Sequence, residues 1–265
     1  MDGHAKGIFI MILVIGGTSD AREITRKLSD KGIKIVVSTA TQYGYDLASG
    51  DGVPVVQGRM DCQEMVGFIA DSSIQVLVDA SHPFAVEVTE NAVKACQISK
   101  TPYIRYARPG GEEFVNPLVE KVISYEAAAQ RACQLGQIIF LTIGSKMCPL
   151  FIETAMNNGK EVIVRIIPDP AVIQGLLEMG VSPGNLLAMK GPFSEELNVA
   201  MLKHYKADVM VTKESGIEGG LREKVSAAVS LGVPVVMITR PPEPENAVKS
   251  IAEAVTAVLD SIREK

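Results

Sequence analysis

The chain has 265 residues, 47% of them hydrophobic and 22% charged, with a net charge of −5. That is apolar material for a sizeable core in two domains or one large one, and the acidic balance argues against nucleic acid as the main partner, though it leaves room for a local basic cleft. The longest apolar runs are of strand length, so no membrane span is expected, and the four widely spaced cysteines suggest neither a disulfide framework nor a metal site, which fits a reducing cytoplasm.

Residues 1–10 lack the layout of a signal peptide and read as an extension or a misplaced start. From Ile12 an apolar strand runs into Gly16, Gly17, Thr18 and Ser19 and then into a helix over about 20–31. A glycine turn leading into a helix N-terminus offers backbone N–H groups to a phosphate, although the same sequence also suits a plain strand-to-helix turn. The dinucleotide fingerprint fits Gly16 and Ala21 but not Thr18, which stands where a second glycine belongs. The next strand ends in Ser38, Thr39 and Ala40, where an NAD site would carry a carboxylate, so the pattern leans toward NADP(H). Arg22 or Arg59 would then meet the 2′-phosphate; Arg22 reads equally well as a solvated helix residue.

Strands near 53–57, 75–80 and 102–106, with helices near 61–71 and 85–99, complete a five-stranded first sheet. The polar Pro-Gly-Gly stretch after Arg108 is the best linker candidate. A second alternation follows, with strands near 119–123, 138–142, 161–166, 185–188, 208–212 and 234–239 and a last helix near 246–262. The predicted architecture is α/β, with two Rossmann-like domains and mainly parallel sheets flanking a cleft. An NADP(H)-binding domain would cover 11–108, and a second domain, completing the substrate and cofactor cleft, 114–265. Polar and cationic residues repeat where strands end: Ser81 and His82, Gly144 to Lys146, Lys213 to Gly216, and Arg240. In open α/β sheets that edge is where ligands bind.

The stretches Gly16 to Arg22, Asp79 to Ala85, Arg105 with Arg108-Pro109, Thr142 with Gly144, Gly191-Pro192-Phe193, Lys213 to Gly216 and Arg240-Pro241, in this order, resemble the precorrin-6A reductases of cobalamin biosynthesis, including those of the cobalt-dependent route. The resemblance spans about 11–240 and implies NADPH-dependent reduction of one double bond in a corrin-ring precursor. Ser81 replaces a threonine of that family's pattern and keeps the hydroxyl. A polycarboxylate substrate suits cations, and the candidates are Arg105, Arg108, Lys190, Lys213, Arg222 and Arg240. Gly16, Gly17, Thr18, Ser19, Arg22, Ser38, Thr39, Arg59, Ser215 and Gly216 are the cofactor-binding candidates. His82 or Lys213 could donate the proton, Tyr106 less readily, and bound water is an alternative.

Two other readings stand beside this one. A short-chain dehydrogenase would carry Tyr-x-x-x-Lys, and none of the six tyrosines is followed by lysine at that spacing. A non-enzymatic NADP(H)-sensing protein would need a binding domain and no site for a polyanion.

Overall fold

The computed structural model describes residues 10–50, 52–107, 114–215 and 219–263, the side chain of Tyr43 excepted. The chain divides into two units, one of Met1–Pro109 with Pro241–Lys265 and one of Gly110–Arg240.

In the first unit β1 (Met11–Ile15), α1 (Ser19–Ser29), β2 (Lys34–Thr39), α2 (Gln42–Ser49), β3 (Val55–Gln57), α3 (Cys62–Asp71), β4 (Ile74–Asp79), α4 (Val86–Ser99) and β5 (Tyr103–Arg105) follow in order. The strands pair in parallel in the order β3-β2-β1-β4-β5. Continuous apolar strands are what a sheet covered on both faces requires, because successive side chains point to opposite sides. Ile12 and Val14 accordingly pack with Ile24 and Leu28 of α1, while Leu13 and Ile15 pack with Met65 and Ile69 of α3 and Ala92 of α4. Helix α2 lies outside the predicted elements, since its Gly44 and alternating polar residues hide the apolar period.

The second unit holds β6 (Val119–Val122), α5 (Tyr125–Leu135), β7 (Ile138–Leu141), α6 (Cys148–Asn157), β8 (Glu161–Ile166), α7 (Pro170–Glu178), β9 (Leu186–Ala188), α8 (Glu195–His204), β10 (Val209–Lys213), α9 (Leu221–Ser230) and β11 (Val235–Ile238). Its sheet is parallel throughout, ordered β6-β11-β10-β7-β8-β9. Leaving β6 aside, β7 plays the part of β1: two strands step outward on one side of it and two on the other. Each unit therefore has a topological switch point, between β1 and β4 and between β7 and β10.

The expected second domain of 114–265 is corrected at its end. After β11 the chain returns to the first unit, where Val248 bridges Tyr106 in parallel and helix α10 (Ile251–Arg263) buries Ala254, Val255 and Val258 in the same core as α1. The apolar face of α10 needs cover, and the α1 side of the first sheet supplies it. The linker expectation around Pro109 to Gly111 lies outside the described residues.

Candidate functional site

At the switch point of the first unit the two glycines are explained by packing. Gly16 has φ +141°, and a Cβ there would stand 2.6 Å from the Ala80 carbonyl oxygen; on Gly17 it would stand 2.8 Å from Cα of Gly44 in α2. Thr18 caps α1, accepting from the Ala21 N–H at 3.1 Å and donating to the Ala80 carbonyl at 3.2 Å. Both glycines are thus required by close approach of the protein's own backbone on their Cβ side. Ser19 is exposed at the start of α1, and Arg22 is half-buried on it. Ser38 and Thr39 end β2 as expected but are buried, and Thr39 Oγ1 has no hydrogen-bond partner among the described residues. Arg59 is exposed and stands 4.0 Å from Glu87, a separation that contributes little in water.

Asp79, fully buried at the end of β4, organises the adjoining loop. Its carboxylate accepts from the Ser81 N–H, the Thr89 hydroxyl and the Tyr103 hydroxyl and pairs with Arg105 Nη1 at 3.0 Å. Arg105 also donates through Nε and Nη2 to Glu243, at 2.8 and 2.9 Å, and through Nη1 to Ser81. Burial opposes its charge, but Glu243 and Asp79 outweigh that and hold its pKa above the ordinary value. Arg105, a substrate-binding candidate, thus has its guanidinium engaged by the buried Asp79 and the half-buried Glu243, where it ties the returning chain to the first sheet. Burial and Asp79 push the neighbouring Cys96 thiol up to about 12, so it stays protonated.

His82 is half-buried beside a small cavity of about 10 Å³ lined by Thr18, Asp20, Ala80, Ser81, Pro83 and Tyr106 as well. Its Nδ1 accepts from the Phe84 N–H at 3.3 Å, which assigns the proton to Nε2. In that tautomer Nε2 is a hydrogen-bond donor. A wider groove of about 590 Å³, lined by Cys96, Lys100, Tyr103 and Asn246 among others, lies where β5 begins, at the opposite edge of the sheet from the strand ends.

The second unit concentrates positive charge at its strand ends. Arg165, one residue from the end of β8, is 8% exposed; Nη1 donates to Asn198 Oδ1 at 2.8 Å, and the guanidinium carbon lies 4.6 Å from the Phe193 ring centroid and 5.7 Å from that of Phe140. All these partners are neutral, and burial lowers its pKa to about 10. Lys224 on α9 is 7% exposed, and among the described residues its ammonium makes no hydrogen bond and no ion pair. Burial first, then repulsion from Arg165 and Lys213, brings its pKa down to about 7, against the attraction of Glu223. Lys213 ends β10, its pKa also lowered by burial; nearby Cys148 donates to the Gly144 carbonyl, its thiol raised by burial to about 12.

Lys190 and Arg222 are exposed on this unit, and Arg240 leans on the end of β10, donating from Nε to the Glu214 carbonyl at 2.8 Å. Ser215 Oγ is buried with no partner among the described residues. Arg108 and Gly216 lie outside the described residues. The structure brings Lys213 together with two cations missing from the predicted set, Arg165 and Lys224. A lone basic residue within an apolar strand or on an amphipathic helix carries no signal by itself. The signal available for Arg165 was its place at the end of the second strand after the Gly144 turn.

The family model described as Precorrin-6x reductase CbiJ/CobK matches residues 11–259. The cobalt-precorrin-6A reductase of Methanothermobacter thermautotrophicus is 37% identical over 235 residues, covering 87% of this chain and 76% of that protein. The protein of the same name from Priestia megaterium is 35% identical over 250 residues, 94% and 98% of the two chains. The precorrin-6A reductase of Rhodococcus erythropolis is 32% identical over 241 residues, 88% and 90%. Among solved structures, CobK precorrin-6A reductase aligns with a TM-score of 0.75 at 23% identity, covering 95% of this chain and 97% of that one, which shows a shared fold.

Proposed function

This chain belongs to the precorrin-6x reductase family, and from that premise we propose that it reduces one double bond of a corrin-ring precursor with NADPH as reductant. The match to the family along nearly the whole chain carries this reading. Three proteins named for the cobalt-containing precursor are 35–37% identical to this chain, so cobalt-precorrin-6A is the first substrate to assay.

The residues present suit a phosphorylated dinucleotide by charge. Arg165 and Lys224 are buried cations with no carboxylate paired to them among the described residues, an arrangement that a bound anion relieves. When bound, the nicotinamide supplies a hydride; the protein supplies orientation and charge placement. Lys190, Arg222 and Arg240 hold carboxylates of the macrocycle, the arginines in bidentate fashion and the lysine as a point charge. His82 presents Nε2–H as a hydrogen-bond donor at the end of β4. The proton that completes the reduction comes from water.

The test is incubation of the chain with NADPH and cobalt-precorrin-6A, followed by spectrum and mass. A two-electron change in the macrocycle, with a gain of two hydrogens and matching loss of NADPH absorbance, is expected. Tight binding of NADPH with no change in the macrocycle would favour the sensing role instead.

A further inference from the structure

We propose that the second unit is the nucleotide-binding half of this protein, and that Arg165, Lys213 and Lys224 form a site for a doubly charged phosphate ester, the 2′-phosphate of NADPH. This rests on the reading that NADPH is the reductant. It relocates the cofactor from the glycine turn after β1 to the turn after β7.

The first support is topological. The order β9-β8-β7-β10-β11 repeats β3-β2-β1-β4-β5, so β7 is the first strand of a dinucleotide-type sheet and β8 its second. In such sheets the phosphates approach the turn after the first strand, and the residue that reads the ribose 2′ position stands at the end of the second, about 20 residues further on. Gly144 follows β7 with φ +81°, and a Cβ built there meets nothing within 4 Å. The space beside that turn is open, in contrast with the turn at Gly16 and Gly17. Arg165 stands at the end of β8, at the expected distance from Gly144, and is an arginine where NAD-specific sites carry a carboxylate.

The second support is charge. Arg165 and Lys224 are both more than nine-tenths buried and have only neutral hydrogen-bond and ring partners or none. Glu223 attracts Lys224 without closing an ion pair, and Lys213 adds a third cation close enough to repel it. Buried cations are ordinarily neutralised by a partner; here the described residues provide none for two of them. A phosphate dianion answers this better than a single carboxylate, because it brings two charges and three acceptor oxygens to one point. The Phe193 ring, 4.6 Å from the guanidinium carbon, and the Asn198 hydrogen bond restrict the Arg165 side chain, so less freedom is lost when it closes on the ligand.

The experiment is equilibrium binding of NADPH, NADH, 2′,5′-ADP and 5′-AMP to the full chain and to Lys224→Met and Arg165→Gln, followed by nicotinamide fluorescence and by calorimetry. Lys224→Met keeps the length of the side chain in an apolar setting, so it preserves the fold should Arg165→Gln not. The unaltered chain is expected to hold NADPH and 2′,5′-ADP more tightly than NADH and 5′-AMP. Either substitution should weaken the 2′-phosphorylated pair by about ten- to a hundredfold, the range for a charge-assisted contact, and leave the others within about twofold. Equal losses for NADPH and NADH, or unchanged NADPH binding with a raised KM for the tetrapyrrole, would overturn the site and leave the proposed reductase activity standing. Failure of the unaltered chain to bind either dinucleotide would overturn that activity and the site together.

Discussion

Replacing Lys224 by methionine should stabilise the protein, and by an amount that depends on pH. The ammonium is buried on α9 beside Arg165 and Lys213, and its pKa is lowered from 10.5 to about 7. Below about pH 7 the group is charged in the folded and the unfolded chain, so the folded state carries the full cost of a buried cation. As pH rises past 7 the folded chain sheds the proton while the unfolded chain keeps it up to about 10.5, and the cost shrinks. Each pH unit in that window is worth about 1.4 kcal/mol, so between pH 6 and pH 9 the advantage of Lys224→Met should fall by roughly 2–3 kcal/mol. Urea unfolding of both chains at the two pH values, without ligand, measures it. A variant less stable than the parent, or an advantage that does not change with pH, would show that Lys224 has a favourable partner and that the reasoning from burial is wrong.

NADPH affinity should weaken as pH rises from 7 to 9, because the ammonium must take up a proton to meet the phosphate while Arg165 and Lys213 disfavour its charge and Glu223 favours it; titration in buffers of different ionisation heat would reveal the uptake, and a flat profile counts against it. Arg105→Ala should cost about 3–5 kcal/mol, since it strands the fully buried Asp79 and leaves the half-buried Glu243 unpaired; a loss below about 1 kcal/mol in denaturant unfolding would mean that water replaces the guanidinium. Gly17→Ala should destabilise by about 1–3 kcal/mol from the contact with Gly44, with NADPH affinity unchanged; a selective loss of NADPH binding would return the cofactor to the first unit. Lys213→Ala should lower kcat/KM at least about tenfold with circular dichroism intact, and activity within about twofold of the parent would make the end of β10 an ordinary loop.

Much of the fold was legible because strands buried on both faces announce themselves. Runs such as Ile12 to Ile15, Val76 to Val78 and Ile138 to Leu141 have one reading when glycine or proline brackets them and a helix period follows. Helix α2 escaped because Gly44 and its polar neighbours break that period, and the parent unit of α10 escaped because an amphipathic helix records that it needs cover but not which sheet provides it. The strand-end motifs were legible as motifs, being short and local, and they sufficed to indicate a resemblance. Their meaning was decided by what lies opposite. Arg105 reads in the sequence as a free cation, whereas Glu243, distant in sequence, pairs with it, and Gly17 reads as a turn glycine, whereas Gly44 in α2 supplies a packing reason for it. Arg165 and Lys224 were invisible in the same way, for the charge of a buried group is set by neighbours gathered from β8, β10 and α9, and one-dimensional spacing does not record which of them meet. Sequence alone thus determined the α/β periodicity, the polar strand ends and the excess of cations there; tertiary packing decided which cations meet a carboxylate and which are buried without one among the described residues, because desolvation and ion pairing act through space.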